Sequence, residues 1–197
     1  MARFATLTNP GRRPGLNEDA VGSIPGRDLW FVADGVGGAV AGGIASGIVA
    51  KILHAPGGQD ELEGMVLRAH DAIVEYAKAH PECIGMGSTV VAAQLVNSRC
   101  RIVWVGDSRA YLWRRGRLRC LTKDHSFVEM VKQEQHLTDT EAADLPDRNL
   151  VLQSLGYDTP VPSVVNRKLR GGDWVILCSD GLNDELTDAK IDRKSVV

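Results

Sequence analysis

Three times in this chain an apolar run that reads as a strand arrives at an aspartate. Leu29-Trp30-Phe31-Val32-Ala33 runs into Asp34-Gly35, Ile102-Val103-Trp104-Val105-Gly106 into Asp107-Ser108, and Trp174-Val175-Ile176-Leu177-Cys178-Ser179 into Asp180-Gly181. A carboxylate at the end of a buried strand is partly stripped of water, which costs several kcal/mol as an order of magnitude unless a cation or a hydrogen-bond donor compensates. The glycine after Asp34 adds to the pattern, because Gly35 lets the backbone and its carbonyl approach whatever the carboxylate holds. A fourth acidic pair, Glu18-Asp19, stands just before the strand pattern Ala20–Pro25. Taken singly, Asp-Gly after a strand reads as a turn. If the four aspartates converge, their repulsion demands bound positive charge, and hard oxygen ligands select Mg²⁺ or Mn²⁺ over zinc or copper. Two adjacent divalent ions fit such a set.

The remaining periodicities say how the ends could meet. Strand patterns are expected at Phe4–Thr8, Ala20–Pro25 and Leu29–Ala33. Val40, Ile44, Ile48 and Ile52 recur at helical spacing and stop before Pro56; Leu62, Met65, Val66, Ala69, Ile73 and Tyr76 do the same before Pro81. Strands return at Thr89–Leu95, Arg101–Val105, Ala110–Arg114 and Arg117–Leu121, with Arg115-Gly116 as a tight turn. Residues 126–147 are polar and predict two short helices in a surface insertion, with Thr138 or Asp139 as the cap of the second. Further strands are expected at Val161–Leu169 and Trp174–Cys178, and a helix from near Asp188. Strands, a block of two helices, then more strands with tight turns argue for an α+β fold with antiparallel sheets. Trp30, Trp104 and Trp174 are expected in its core.

Composition removes several function classes. With 23 Lys+Arg against 25 Asp+Glu the net charge is -2, so no basic surplus points to nucleic acid or an anionic membrane. No apolar run approaches the roughly 20 residues of a bilayer span, and the first residues lack the apolar segment of a secretory signal, so a cytoplasmic location is expected. Cys83, Cys100, Cys120 and Cys178 form no CxxC pair and read as reduced thiols. The basic hairpin residues Arg114, Arg115, Arg117 and Arg119 read as a solvated face. No GxxxxGK[ST] loop is present, which argues against a P-loop nucleotide hydrolase. An aspartyl-phosphate enzyme needs a DxDx[TV] nucleophile pair that Asp34-Gly35-Val36 does not supply.

Asn17-Glu18-Asp19, Ala33-Asp34-Gly35-Val36-Gly37-Gly38, Gly87-Ser88-Thr89, Val105-Gly106-Asp107-Ser108-Arg109, Leu121-Thr122 with Asp124-His125-Ser126, and Cys178-Ser179-Asp180-Gly181-Leu182, in that order, resemble the signature of the bacterial type 2C metal-dependent protein serine/threonine phosphatases. The resemblance covers residues 6–191 and implies a central antiparallel β-sandwich flanked on each side by helices, in one domain over residues 1–197. It implies two Mn²⁺ or Mg²⁺ ions with a weaker third: Asp34 bridging, Gly35 offering its carbonyl, Asp180 a direct ligand, Asp19 acting mainly through water, Asp107 on the third. It also implies hydrolysis of phosphoserine and phosphothreonine in proteins by a metal-activated water, without a phosphoenzyme, opposing a bacterial serine/threonine kinase. The segment Phe127–Leu150 corresponds in position to a flap near the active site.

Three departures qualify the expected activity. The arginine that the family uses to grip the substrate phosphate falls at Pro14, so Arg13, or else Arg12, is the candidate catalytic arginine. Where bacterial members place a histidine proposed as general acid, this sequence has Ala39, leaving His125 and His54 as the nearest histidines by motif position, with water able to donate the proton instead. Family members continue past Cys178–Leu182 through further strands to another metal-binding aspartate, whereas this sequence ends at Val197, so the last strands are expected to be missing and their neighbours left with open edges. A phosphatase-like module that binds phosphoproteins with little or no turnover is therefore the alternative reading.

Overall fold

Alternation along three strands decides the layering. In β2 (Leu29–Val36), Leu29, Phe31 and Ala33 face one way and Val32 the other; in β4 (Val90–Val96), Val90 and Ala92 oppose Val91 and Ala93; in β5 (Arg99–Val105), Val103 and Val105 oppose Ile102 and Trp104. Both faces are apolar, so the sheet must be covered on both sides. A computed structural model describes residues 2–11, 17–38, 40–55, 61–142, 145 and 150–194 of the chain. In it one face of this sheet is covered by α1 (Ala41–His54) and α2 (Leu62–Ala79), and the other by a second sheet.

The larger sheet runs β1 (Asp19–Ile24), β2, β4, β5, β8 (Ser163–Lys168), with the two-residue β3 (Gly87–Ser88) also on β2. The smaller has β6 (Arg109–Arg114) between β7 (Arg117–Cys120) and β9 (Trp174–Cys178), and every pairing is antiparallel. Two hairpins close on consecutive left-handed residues, Asn97-Ser98 and Arg115-Gly116, the backbone that suits the twist of two-residue hairpins. α3 (Phe127–Gln135) and α4 (Asp139–Ala142) occupy the polar insertion, and Thr138 caps the latter by exchanging hydrogen bonds with Glu141. Two further short helices, α5 (Asp180–Glu185) and α6 (Asp188–Lys194), follow β9. No helix among the described residues is long and apolar enough to cross a membrane.

The α+β sandwich flanked by helices agrees with the reading of the sequence, with local corrections. Phe4–Thr8 is not a strand: the segment joins no ladder and is exposed, with Phe4 lying against Trp30 at 6.2 Å between ring centroids. Trp174 is not core but 66% exposed, because it begins the outer strand of the smaller sheet. β1 starts one residue earlier than expected and β2 runs three residues further, so Asp19 is the first residue of a strand instead of preceding it, and Asp34 lies within a strand instead of in a turn after it.

Gly35 and Gly42 set how close α1 can come to β2. A Cβ on Gly35 would fall inside contact distance of the Gly42 carbonyl, so the helix rests directly on strand backbone. Gly47, by contrast, has open space around the position of a Cβ and is exposed. Gly35→Ala is expected to lower stability by about 1–3 kcal/mol through overpacking, whereas Gly47→Ala raises it by roughly 0.5–1 kcal/mol through lower chain entropy and better helix propensity. Urea unfolding midpoints of the two variants check both signs.

Candidate metal centre

Topology brings the aspartates to one end of the sandwich. β2 and β5 are both antiparallel to β4, so their C-terminal ends share an edge of the larger sheet. The chain then crosses at Gly106–Ser108 into β6, which runs away from that edge; β9, antiparallel to β6, comes back, pairing Cys178 with Arg109. Asp34, Asp107 and Asp180 therefore gather where the strands of both sheets end. Asp19 joins them by register, since it sits directly opposite Asp34 on β1. Like charges directly opposite in a ladder are destabilising, yet the pairing continues beyond them through Gly35 N–H to the Glu18 carbonyl at 3.2 Å.

All four carboxylates are half-buried, and their electrostatics record the crowding. Burial, followed by the charges of Asp180 and Asp19, pushes Asp34 up from 3.8 to about 9. Asp107 is pushed to about 6 by burial and then by Asp180 and Asp124. Asp180, within hydrogen-bond reach of Asp34, is also raised, mainly by burial. Among the described residues no three acidic, histidine or cysteine side chains close tightly enough to enclose an ion by themselves. Asp34 and Asp180 touch, with Asp19 and Asp107 further round. That donor set fits Mg²⁺ or Mn²⁺, which take hard oxygen ligands; Mg²⁺ in particular keeps several waters and needs only one or two carboxylates. Glu18 Oε1, buried with no hydrogen-bond partner, lies against Gly42 of α1 instead of joining that set. A small cavity of about 80 Å³ opens beside the cluster, lined by Asp107, Arg109, Asp124, Asp180, Asn183 and Asp184.

The motif residues around the aspartates act as a frame. Thr89 Oγ1 accepts from Asp34 N–H at 3.2 Å and is 2.7 Å from Ser108 Oγ, tying β2 to the crossover that carries Asp107. Ser88 Oγ donates to the Asp34 carbonyl at 3.1 Å. Ser179, at the start of α5, makes no cap with its side chain and instead donates to Asp19 Oδ2 at 2.9 Å, linking the two sheets through the site. Arg109 grips Asp124 with two forked bonds, Nε to Oδ1 at 2.9 Å and Nη2 to Oδ2 at 2.6 Å, and the carboxylate holds the guanidinium in its charged form. Tyr111 donates to Asp188 at 2.9 Å and accepts from Asn183 at 2.6 Å, anchoring α5 and α6 to β6.

His125 is not placed to give a proton to a leaving group. Its Nδ1 accepts from Gly106 N–H at 3.2 Å, which leaves the proton on Nε2, and Nε2 donates to Ser163 Oγ at 2.9 Å. Burial lowers its pKa, and the ring stacks on Trp104. The imidazole is a neutral brace for the Gly106-Asp107 turn, where Gly106 takes a positive φ of 102° and a Cβ would strike Thr89. His54 lies at the C-terminal end of α1, a helix length away from Gly42, with Nδ1 on the Ala50 carbonyl and its ring against Phe31. Arg12, Arg13 and Ala39 lie outside the described residues.

Among the residues of this frame, Arg109, Tyr111, Asp124, Asn183, Thr89, Ser108, Ser88 and Ser179 have no assigned part in the sequence reading. Arg109 and Asp124 stood inside recognised motifs, and a charged pair flanking two strand ends was the available signal.

The family model for protein phosphatase 2C matches residues 12–196. The chain belongs to this family. The serine/threonine protein phosphatase PstP of Mycobacterium tuberculosis is 37% identical over 196 residues, covering 96% of this chain and 38% of the relative, so the chain spans well under half of that protein's length. The serine/threonine phosphatase stp of Listeria innocua is 32% identical, covering 94% of this chain and 80% of the relative. Among solved structures, M. tuberculosis PstP superposes with a TM-score of 0.89 at 35% identity, covering 99% of this chain and 85% of that one. The catalytic domain of PstP in complex with two manganese ions superposes with a TM-score of 0.85 at 34% identity, covering 99% and 84%. The sandwich is thus that of a phosphatase 2C fold.

The raised carboxylate predicts a pH signature of the metal-free protein. Because the folded-state pKa of Asp34 lies above its ordinary value, the folded chain holds a proton that the unfolded chain gives up. The associated stability is fully present below about pH 4 and is lost as pH rises toward about 9. Thermal unfolding in EDTA is expected to show wild type losing more stability than Asp34→Asn between about pH 5 and pH 8, and Mn²⁺ restoring wild type but not the variant. Parallel pH profiles of the two proteins would contradict it.

Proposed function

We propose that the chain hydrolyses phosphoserine and phosphothreonine esters in protein substrates, in a reaction dependent on divalent metal ions. The observation that carries this is the gathering of Asp19, Asp34, Asp107 and Asp180 at one end of the sandwich, with Asp34 pushed up to about 9 by burial and its acidic neighbours. Asp34, Asp180, Asp19 and the Gly35 carbonyl would hold a pair of Mn²⁺ or Mg²⁺ ions, and Asp107 a weaker third. When bound, such ions supply Lewis acidity that makes water nucleophilic near neutral pH and neutralises the phosphoryl oxygens.

The chain's own groups do the positioning. Thr89 and Ser88 fix the backbone of Asp34, Ser179 aims Asp19, and the Arg109–Asp124 clamp and the Tyr111 network keep β6 and α5 in place so that Asp180 faces Asp34. Arg13, or else Arg12, is proposed to grip the substrate phosphate through its forked donors. With His125 braced as a neutral acceptor and donor, a water supplies the leaving-group proton. A serine/threonine kinase as the opposing partner, a cytoplasmic location and a single domain over residues 1–197 belong to the same proposal.

Ala39 favours a second reading, a phosphoprotein-binding module with little turnover, because the expected general acid is missing at that position. Titrating Mn²⁺ against p-nitrophenyl phosphate hydrolysis separates the two. The enzyme reading expects metal-dependent turnover that Asp34→Ala lowers by about 100-fold or more, and the binding reading expects no difference between wild type and that variant.

The missing acid also has its own consequence. Serine and threonine alkoxides are poor leaving groups, whereas nitrophenolate needs no protonation. Ala39→His is therefore expected to raise the rate on a phosphoserine peptide about 10-fold or more relative to the aryl phosphate. Equal relative rates in both proteins would remove general-acid chemistry from that position.

A further inference from the structure

The strand that carries Asp34 also leads out of the site. Val32, Asp34 and Val36 share one face of β2: Val32 lies in the core between the sheets, Asp34 in the acidic cluster, and Val36 on the wall of a groove of about 420 Å³. Val151, Leu152, Tyr157 and Pro160 supply its other apolar lining, and Gln153, Ser154, Asp158 and Thr159 the polar part. Leu152 and Tyr157 are each 45% exposed, which is apolar surface a ligand would cover.

The groove is built rather than merely left open. Leu155, fully buried, exchanges two backbone bonds with Ser88 at 2.8 and 3.0 Å, fastening this segment to β3 beside Gly35 and Val36. Gly156 N–H donates to His70 Nδ1 at 3.1 Å, the Tyr157 hydroxyl donates to the Gly85 carbonyl, and Leu152 N–H donates to the His125 carbonyl at 2.7 Å. Gln153 Oε1 accepts from Val161 N–H at 3.0 Å and closes the loop on itself. A preformed wall of this kind spends little ordering entropy on binding.

Spacing and chemistry identify the occupant. In an extended chain, residues i and i+2 share a face about 6.6 Å apart, the same step that separates Asp34 from Val36. Resting on the phosphatase reading above, we propose that this groove receives an aliphatic side chain two positions from the phosphorylated residue of an extended substrate segment. Apolar walls favour leucine, valine or methionine there. Asp158, on the groove wall, opposes an acidic residue at the same position.

The test uses phosphopeptides that differ only two positions before or after the phosphoserine, with Leu, Ala or Asp there. Wild-type kcat/KM is expected to favour Leu over Ala by about 10-fold on one of the two sides, and Asp to be the poorest. Leu152→Ala, at an exposed position that leaves the fold intact, is expected to reduce that preference to about 2-fold. The ratio is taken within each protein, so a general loss of activity does not imitate it. Fluorescence anisotropy of labelled, non-hydrolysable phosphonate versions of the same peptides gives the same ratio from affinities if turnover is absent, which keeps failure of the groove distinct from failure of the enzyme reading. No preference for Leu on either side, or an undiminished preference in Leu152→Ala, overturns the proposal.

Discussion

Asp19 and Asp34 stand opposite each other in an antiparallel ladder, and a sheet built for stability alone would not put two carboxylates there. Their repulsion, joined by Asp107 and Asp180, is the constraint around which the rest of the structure is arranged. Every other local choice in β2 agrees with its place in the core, from Leu29 at its start to Ala33 just before the acidic residue. A break in that consistency at one end of an otherwise well-packed sandwich is where function is to be sought. Bound cations would relieve the conflict, and the stability of this end and its proposed chemistry would then be two aspects of one electrostatic problem.

Holding such a cluster together without the ions requires a stiff frame, and the frame is made of groups that are neutral or already paired. Thr89, Ser108, Ser88 and Ser179 contribute hydroxyls; His125 contributes a neutral imidazole fixed at both nitrogens; Arg109 spends its charge on Asp124. Arg109 partly offsets the charge of Asp107, but its forked donors are committed to Asp124 and it stays apart from the Asp34–Asp180 pair. That separation matters physically. A guanidinium inserted among Asp34 and Asp180 would stabilise the metal-free fold and compete with the cations for the same oxygens.

The sequence made the fold legible where period and punctuation coincide. The two helices ended where Pro56 and Pro81 foretold, and Arg115-Gly116 turned the hairpin as its composition required. Legibility failed where burial depends on a partner strand. Trp104 and Trp174 both stand in apolar runs, but Trp174 follows Gly171-Gly172-Asp173 and begins an outer strand, whereas Trp104 lies mid-run and is sandwiched between sheets. The apolar run alone does not carry that partner-strand difference. Phe4–Thr8 alternates like a strand yet has no ladder to join. For the site, the aspartates were visible because strand ends in acid recur, whereas the alignment of Asp19 with Asp34 is a register fact and Ser179 turning to Asp19 is a contact across 160 residues of chain. His125 is the instructive case. Its motif position is next to Asp124 and near the site, and only the hydrogen bonds of both ring nitrogens show that its proton is committed elsewhere.

The same register that crowds the carboxylates gives the site a direction. β2 passes from apolar core at Val32 through charge at Asp34 to an open apolar wall at Val36, and β3 fastens the 151–160 segment alongside that last step. On the phosphatase reading proposed above, a phosphate ester alone would be satisfied by the acidic end and the ions it would hold, which recognise a phosphoryl group on any scaffold. Selection among proteins has to come from surface that a small phosphate never reaches, and the strand continues onto such a surface within two residues. Because the wall and the carboxylate ride on one strand, a displacement of β2 that disturbed the cluster would also shift the wall. The proposed chemistry and recognition would therefore be coupled through the backbone of residues 34–36, which is held in place where α1 rests directly on Gly35.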